Sequence, residues 1–160
     1  MKKDNFLNGT WNRLLQIAAR FGPGATTLRV RLHRWRGVKI GQDVWIGYDA
    51  IIETSNPHLV TLKDRSSVGI GAIIIAHMRE TRQGVIIEED ASVGPGAIIL
   101  PNVTVGRGSI VTPGSVVSTS VPPMTMVQGN PARPVAQIGM PLRMDVSLKE
   151  FSKHLKPIRK

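Results

Sequence analysis

Cysteine is absent from this chain of 160 residues. Its absence excludes disulfides, thiolate zinc sites and a cysteine nucleophile. Aromatic residues make up only 4% of the sequence and are not interleaved with the basic residues, so a stacking platform for nucleic acid is not expected. No apolar run reaches the length of a membrane span, and the N-terminus lacks the apolar core of a signal peptide. The length of the chain favours a single domain. The absences predict a cytoplasmic protein that does not bind nucleic acid.

Acidic residues are scarce at both ends of the chain. Residues 1–39 contain nine Lys or Arg against one acid, a net charge of +8, and residues 141–160 contain six against two, a net charge of +4. Residues 40–140 contain six bases and eight acids, a net charge of −2. The formal net charge of +10 therefore belongs to the flanks, and the middle of the chain is a different kind of structure.

Aliphatic residues recur every six positions through the middle segment, and a smaller residue usually stands two positions earlier. Such a triplet is a short strand, because side chains alternate between faces with a period of two. The other three positions are rich in Gly and Pro, which suit tight corners. A period of six does not fit a helix, whereas three strands and three corners make one triangular coil, and stacked coils pair as parallel strands. The pattern predicts an all-β core, a parallel β-helix of about four coils, with inward residues Ile40, Ile46, Ile52, Leu62, Val68, Ile74, Ile87, Val93, Ile99, Val105, Val111 and Val117.

The six-residue phase breaks twice. Ile52 and Leu62 are ten residues apart, an insertion of four, and Ile74 and Ile87 are thirteen apart, an insertion of seven. Both breaks fall on the third side of a coil, so both inserted loops leave from the same edge of the prism. Loops on a rigid scaffold often carry function, which makes this edge the expected location of a site.

Both flanks show helical patterns. Residues 1–38 are expected to form a basic helical cap with two helices, residues 39–135 the β-helix domain, and residues 136–160 a tail with a short helix capped by Ser147. The expected buried side of the first helix is Trp11, Leu14, Leu15, Ala18 and Phe21, and that of the last is Leu148, Phe151 and Leu155.

Three stretches carry a family resemblance: IGQDVWIG from Ile40, VGPGAIILPNVTVG from Val93, and VPPM with the following GNPAR from Val121. They resemble the hexapeptide-repeat acyltransferases, the group that includes the maltose, galactoside, serine and xenobiotic acetyltransferases. The resemblance implies a left-handed β-helix, an acyl-CoA co-substrate, most simply acetyl-CoA, and a homotrimer with active sites between neighbouring prisms. The hand rests on the resemblance alone, since general rules favour right-handed crossovers. The Arg-rich segment leading to Ile40 is similar to enzymes that acetylate sugars for surface polysaccharides.

His77 is the candidate catalytic base. It stands at the start of the seven-residue insertion, where the resemblance places the catalytic His of the family. An acceptor hydroxyl is too weak an acid to attack a thioester unaided, and a neutral imidazole can take its proton as the new bond forms. The alternative interpretation is an ordinary solvated loop histidine.

Three residues near the smaller insertion are candidates for binding the acceptor: Asn56, His58 and Glu53. Asn56 resembles the acceptor-binding Asn of the galactoside enzyme. His58 has three open roles, namely to bind acceptor, to orient His77 or to fill the corner. Glu53 or Glu80 is also a candidate to fix the tautomer of His77.

A metal site is not expected. The γ-class carbonic anhydrases share the fold implied by the resemblance, but they need three His ligands on one zinc ion. Of the four His residues here, only His58 and His77 lie on the predicted prism.

The resemblance also implies where CoA binds. Arg133 matches a position that contacts CoA, and a guanidinium suits phosphate oxygens. Ser118 and Thr119 match another pair of contacts. The predicted CoA-binding residues are Gly96, Pro113, Gly114, Ser118, Thr119, Gly129 and Arg133.

Two prolines depart from the family pattern. Pro113 replaces a backbone donor to the pantetheine arm, since it has no N–H, and Pro95 replaces a Ser near the thioester. Neighbours such as Gly96 and Gly114 must then bind the arm, or CoA lies differently.

These observations predict an acyl-CoA-dependent O-acyltransferase acting on a sugar or glycan precursor by direct transfer. An N-acyltransferase of an amino sugar or other amine stays open, as does a non-catalytic trimeric scaffold, which the two prolines favour. The basic N-terminal segment is expected to cap the open end of the β-helix, with peripheral contact to an anionic membrane as an additional possibility.

Overall fold

The computed structural model describes residues 6–78, 83–143 and 145–158. Helices α1 (Phe6–Phe21) and α2 (Leu28–Trp35) come first, and a short 3₁₀ helix (Pro57–Leu59) lies between the third and fourth strands. The first twelve strands are β1 (Lys39–Ile40), β2 (Trp45–Ile46), β3 (Ile51–Ile52), β4 (Val60–Leu62), β5 (Ser67–Val68), β6 (Ile73–Ile74), β7 (Val85–Ile87), β8 (Ser92–Val93), β9 (Ile98–Ile99), β10 (Thr104–Val105), β11 (Ile110–Val111) and β12 (Val116–Val117). The last elements are β13 (Thr125–Gly129), β14 (Ala132–Ile138), α3 (Leu148–Lys153) and β15 (Leu155–Pro157).

The strands stack into three parallel ladders. The first face is β1-β4-β7-β10, the second begins β2-β5-β8-β11, and the third is β3-β6-β9-β12. The chain closes three full turns between β1 and β10, and then continues through β11 and β12, so the turn count differs somewhat from the four coils expected. The parallel β-solenoid itself is confirmed, with the inward residues Ile52, Ile74, Ile99 and Val117 in register on the third face.

The core is a column of aliphatic side chains along the solenoid axis. The largest of them are at most 1% exposed, and small residues such as Ala72 and Ala97 alternate with them. Removing this apolar surface from water is the main stabilising contribution to the fold. The largest buried aliphatic residues are Ile46, Ile52, Leu62, Ile74, Ile87 and Ile99.

The corners explain why the repeat needs glycine. A Cβ atom added to Gly47, Gly69 or Gly94 would overlap the backbone of the corner in the next coil. Glycine at these positions therefore lets successive coils approach closely enough to form their parallel hydrogen bonds.

Helix α1 covers the open edge of the third face. The side chain of Gln16 donates to the carbonyl of Ala50 (3.1 Å), and that of Asn12 donates to the carbonyl of Thr54 (2.6 Å). These carbonyls flank β3, the edge strand of that ladder. The helix thus satisfies backbone groups that an exposed edge would leave unpaired.

The other two faces are capped in the same way. Arg34 donates to the carbonyls of Ile40 (3.2 Å) and Gly41 (2.5 Å) at the edge of the first face. On the second face, the amide of Ile46 donates to the carbonyl of Ala25 (3.0 Å) in the segment between the helices. The described part of the N-terminal segment therefore supplies hydrogen-bond partners to the edge strands of all three faces.

The orientation of α1 is opposite to the one expected. Of the predicted buried stripe only Leu15 is buried, and the helix instead turns Leu15, Gln16 and Ala19 toward the solenoid. Gln16 and its neighbours make polar contacts with strand edges, so the inward face needs hydrogen-bonding groups more than apolar ones. The large apolar residues that point outward are Trp11, Leu14, Ile17 and Phe21.

The C-terminal flank contains more strand than expected. β14 pairs antiparallel with β13, runs across the expected boundary at residue 135, and also pairs antiparallel with β15. The helix capped by Ser147 is present, because its Oγ accepts from the amide of Glu150 (3.1 Å). Phe151 is buried as expected, but Leu148 is 73% exposed. No helix among the described residues is long and apolar enough to cross a membrane.

Candidate active site

The coil register brings two distant residues together at one edge of the prism. Ile52 of β3 pairs with Ile74 of β6. Glu53 follows the first of these residues directly, and His77 lies three positions after the second. The two inserted loops also leave from this edge, as the sequence predicts.

Glu53 is a buried carboxylate that accepts hydrogen bonds from both loops. Its Oε1 accepts from the amides of Ser55 (2.8 Å) and Asn56 (3.0 Å). Its Oε2 accepts from the amides of Ala76 (2.8 Å) and His77 (3.0 Å). One side chain therefore fixes the backbone at the start of both loops.

The same carboxylate orients the imidazole of His77. The Nδ1 atom lies 2.7 Å from Oε2 and 2.8 Å from Oε1 of Glu53. An ionised carboxylate can only accept, so Nδ1 carries the proton and Nε2 carries the lone pair. Because the His77 side chain is 51% exposed, the arrangement suits a general base that works through Nε2.

Hydrogen bonding keeps Glu53 ionised despite its burial. Burial raises the pKa of this carboxyl, but the hydrogen bonds from Asn56, His77, Ala76 and Ser55 lower it by more, and the resulting pKa is about 2. Glu53 is thus the carboxylate that fixes the tautomer. Its expected direct contact with an acceptor is wrong, because the side chain is 0% exposed. Glu80, the other candidate, lies outside the described residues.

Arg36 supports Glu53 from behind and was not predicted. Its Nη2 donates to the carbonyls of Ile52 (3.0 Å) and Glu53 (2.6 Å), and its Nε donates to Asn12 of α1 (2.7 Å). Arg36 is one of four Arg residues in and just after α2, and no sequence signal distinguishes it from Arg34. Only the three-dimensional packing shows that this guanidinium is buried.

His33 completes this buried cluster in the neutral form. Its Nδ1 lies 2.9 Å from Nη1 of Arg36, and since a guanidinium only donates, Nδ1 is the acceptor. Burial lowers the pKa of His33 to about 3, with further lowering by Arg36 and Arg29. His33 therefore stays uncharged at neutral pH.

The acceptor candidates Asn56 and His58 lie in the smaller loop, shortly after Glu53 in the chain. The amide of Asn56 bonds to Glu53, which ties this residue to the position of His77. His58 is exposed on the 3₁₀ helix and lines a cavity of about 200 Å³ between α1 and the smaller loop. Other residues lining this cavity are Asn12, Arg13, Arg36, Thr54 and Ser55.

The predicted CoA residues fall into two groups. Gly96, Pro113 and Gly114 stack at the corner between the second and third faces, where the amide of Gly114 donates to the carbonyl of the coil below. Gly129 and Arg133 lie on the β13–β14 hairpin beside the same corner, because β13 continues the second face next to β11. The structure thus brings five of these seven residues to one corner.

The amides of Gly96 and Gly114 are not available to bind the pantetheine arm in place of the N–H that Pro113 lacks. The amide of Gly96 already donates to Ile70 (2.8 Å), and that of Gly114 to Pro95 (2.9 Å). These two amides cannot replace the missing N–H without breaking the corner ladder. A Cβ added to Gly96 or Gly114 would meet nothing within 4 Å, so these glycines offer an open surface rather than donors.

Ser118 and Thr119 lie at the opposite edge of the third face. They directly follow β12, as Ile75 and Ala76 follow β6, so they share an edge with His77. The third face lies between this edge and the glycine corner. Its outward-facing ladder consists of the half-buried residues Ile51, Ile73, Ile98 and Val116.

Metal ligation finds no support in the described parts of the chain. Within residues 6–78, 83–143 and 145–158, no group of three or more His, Cys, Asp and Glu side chains is arranged to hold a metal ion.

A family comparison agrees with the fold over the later coils. Residues 84–119 match the family model for bacterial transferase hexapeptide repeats. The match shows that this segment resembles a run of six hexapeptide repeats. It covers β7 to β12, the coils that carry the glycine corner and the strand before Ser118.

Solved structures of hexapeptide-repeat proteins share the overall fold. A hexapeptide-repeat-containing acetyltransferase from Vibrio cholerae, complexed with acetyl coenzyme A, is 21% identical, with a TM-score of 0.68 over 85% of this chain and 90% of that one. The polySia-specific acetyltransferase NeuO is 24% identical, with a TM-score of 0.57 over 69% of this chain and 56% of its own. A maltose O-acetyltransferase from Clostridium difficile 630 is 18% identical, with a TM-score of 0.56 over 84% and 89%.

At these identities the similarity concerns the fold. No curated protein sequence matches the chain significantly. Its chemistry therefore has to be argued from its own residues.

Proposed function

We propose that this protein is an acyl-CoA-dependent O-acyltransferase, with acetyl-CoA as the donor and a sugar or glycan precursor as the acceptor. The observation that carries the proposal is the Glu53–His77 pair, in which a buried carboxylate fixes the proton on Nδ1, so that Nε2 carries the lone pair of an imidazole that is 51% exposed. The structural neighbours include acetyltransferases, one of them with bound acetyl coenzyme A.

The reaction would proceed by direct transfer. Nε2 of His77 takes the proton of the acceptor hydroxyl while its oxygen attacks the thioester carbonyl of the donor. The carbon–sulfur bond then breaks, and the imidazolium returns the proton to the CoA thiolate. Glu53 stabilises the imidazolium and holds the ring in place, so both proton transfers use the same nitrogen.

The acceptor would enter from the side of the smaller loop. The cavity beside His58 is lined by amide, hydroxyl and guanidinium groups, which suit the hydroxyls of a sugar. The hydrogen bond from its amide to Glu53 fixes the backbone of Asn56, so its side chain projects from a rigid part of the loop. An acceptor bound there lies next to the residues that hold His77.

The donor would lie along the open glycine corner, with its phosphates toward Arg133. Arg133 is exposed on the hairpin, where it pairs with Gln128 and follows Ala132, the partner of Gly129. This corner and His77 lie on opposite edges of the third face. A homotrimer, in which the corner of one prism meets the His77 edge of a neighbour, would unite them. The outward aliphatic ladder of the third face supports such packing. An acyl-CoA donor also favours a location in the cytoplasm.

The test of this proposal is His77→Ala. General-base assistance is worth about a hundredfold to ten-thousandfold in rate, so kcat should fall in that range while CoA binding, measured by thermal shift, is retained. Activity is followed as thiol release from acetyl-CoA with a panel of nucleotide sugars and glycans. The rate of the wild type should also fall at low pH, because a protonated imidazole cannot act as a base.

His58→Ala is the matched control. It should raise the KM for the acceptor more than it lowers kcat. Normal turnover by the His77 variant would assign the base to another residue. Turnover with amine acceptors only would favour the N-acyltransferase, and a lack of any CoA binding would favour the non-catalytic scaffold.

A further inference from the structure

Helix α1 presents its apolar side to solvent. The exposed fractions are 61% for Trp11, 55% for Leu14, 55% for Ile17 and 66% for Phe21. The four residues follow helical spacing, so they form one continuous stripe, which we call the outer face of α1. Large apolar residues arranged in this way on a surface indicate an interaction site.

The solenoid-facing side of α1 explains why the outer face is left uncovered. Asn12 and Gln16 hold the helix to strand edges through hydrogen bonds, and Arg20 pairs with Asp49. A surface helix normally buries its apolar stripe and exposes its polar residues. Here the fixed polar anchors hold the stripe outward, so this orientation is a property of the fold.

Basic residues line one side of the outer face. Arg13 is exposed, and together with Arg20 it follows one side of the stripe along the helix. Leu28 of α2 packs next to Gly22, which continues the apolar surface beyond Phe21. The segment as a whole, residues 1–39, has a net charge of +8 with a single acid.

We propose that the outer face of α1 binds an anionic lipid surface. Apolar and aromatic side chains with flanking Arg residues are the composition of helices that lie in the membrane interface. Anionic headgroups would complement the charge of residues 1–39. A second copy of the same chain fits less well as the occupant, because the two faces would bring their Arg residues and their net positive charges together. The inference does not depend on the proposed function, since α1 carries the face whether or not His77 is catalytic.

The test uses the intact chain and lipid vesicles of two compositions. One set is phosphatidylcholine alone, and the other is an equimolar mixture of phosphatidylcholine and phosphatidylglycerol. The protein should sediment with the anionic vesicles and bind the neutral ones at least about tenfold more weakly, because each basic residue near the surface contributes about fivefold. The fluorescence of Trp11, which is exposed on the outer face, should shift to shorter wavelength on binding.

Two variants distinguish binding through the outer face from nonspecific adsorption to vesicles. Ile17→Ser combined with Phe21→Ser should weaken binding to anionic vesicles by about tenfold or more, because two large apolar burials are lost. Leu148→Ser is the control, since Leu148 is even more exposed, at 73%, but lies on α3. It should bind as the wild type does. Unchanged melting temperatures would show that both variants fold, as expected for exposed positions.

Three outcomes would overturn the proposal. One is that the wild type binds neither kind of vesicle. Another is that the double variant binds as tightly as the wild type. The third is that light scattering shows the double variant at a smaller mass than the wild type, in which case a second copy covers the outer face.

Discussion

At the scale of single residues, the decisive group is the Glu53 carboxylate. It accepts four backbone amides and the imidazole of His77, so it joins the starts of two loops that are far apart in sequence. The side chain that orients the imidazole of His77 therefore also holds the local fold. Stability and catalysis are expected to respond together when it is changed.

Glu53→Gln should destabilise the protein by roughly 1–3 kcal/mol at neutral pH. A neutral amide places NH₂ hydrogens against backbone donors that need an acceptor. The pKa of Glu53 is depressed from 4.5 to about 2, so its ionised form stabilises the fold above about pH 4.5. That contribution is lost as the pH falls toward 2.

Urea unfolding at several pH values measures this effect. The difference in free energy of unfolding between the wild type and Glu53→Gln should shrink as the pH falls from about 4.5 toward 2. A difference that stays constant over this range would mean that the carboxylate is not the stabilising species.

The sequence could predict His77 but only part of its surroundings. The break in the six-residue phase places His77 at a loop, and the chemistry of imidazole suggests its role. Two carboxylates, Glu53 and Glu80, were candidates for its partner, because a sequence pattern does not reveal which carboxylate is buried. The amides of Gly96 and Gly114 seemed available for CoA, since a sequence does not show that coil stacking already uses them.

At the scale of elements, the cap and the site are mechanically connected. Arg36 bonds to Asn12 of α1 and to the backbone carbonyls of Ile52 and Glu53, so it links the helix to the residue that holds His77. The helices therefore help to position the Glu53 carboxylate, which in turn positions His77. Sequence periodicity predicted both helices but assigned the wrong side of α1 to the interior. Periodicity finds the apolar side, whereas the open strand edges beneath α1 require polar partners.

Arg36→Met tests this connection. Leaving two carbonyls without their donor should cost about 1.5–3 kcal/mol of stability. Because Glu53 would shift, kcat should also fall by roughly tenfold to a hundredfold while the KM for acyl-CoA stays unchanged. Thermal unfolding and steady-state kinetics measure the two effects.

Arg34→Met is the matched control. It also removes an Arg that donates to edge carbonyls, but those belong to β1 on the first face. It should lower the melting temperature slightly and leave kcat unaltered. Equal losses of kcat in both variants would mean that general loosening of the cap, and not support of Glu53, explains the effect.

At the scale of the whole molecule, the three faces differ on their outer sides. The second face is continued by the β13–β14–β15 sheet, and its outward residue Ile110 packs against Ile138 and Phe151. The outer side of the third face carries an aliphatic residue on each of its four strands. Three of the four outward residues of the first face are polar, namely Lys39, Thr61 and Thr104. This contrast makes the third face the best candidate for subunit packing.

Ile98→Arg should therefore disrupt the proposed trimer. The wild type should scatter light as about three times the chain mass of 17.4 kDa, and the variant should scatter as a smaller species and lose activity. Ile86→Arg is the control, because Ile86 is an equally half-buried outward residue on the first face. It should keep the mass and the activity of the wild type. A monomeric and fully active wild type would contradict a site shared between subunits.

The coil register has a consequence for how such chains can change in length. Ile99 and Val117 are paired neighbours and lie 117 − 99 = 18 residues apart, whereas Ile52 and Ile74 are 74 − 52 = 22 apart, the surplus being the smaller loop. Each coil contacts only the coils next to it. An inserted segment can thus join the ladders only as a complete coil of three strands. Residues in excess of a complete coil must form a loop at a corner. Evolution can lengthen the prism in these fixed steps without moving Glu53 relative to His77, and the remainders supply the loops from which new specificity is selected.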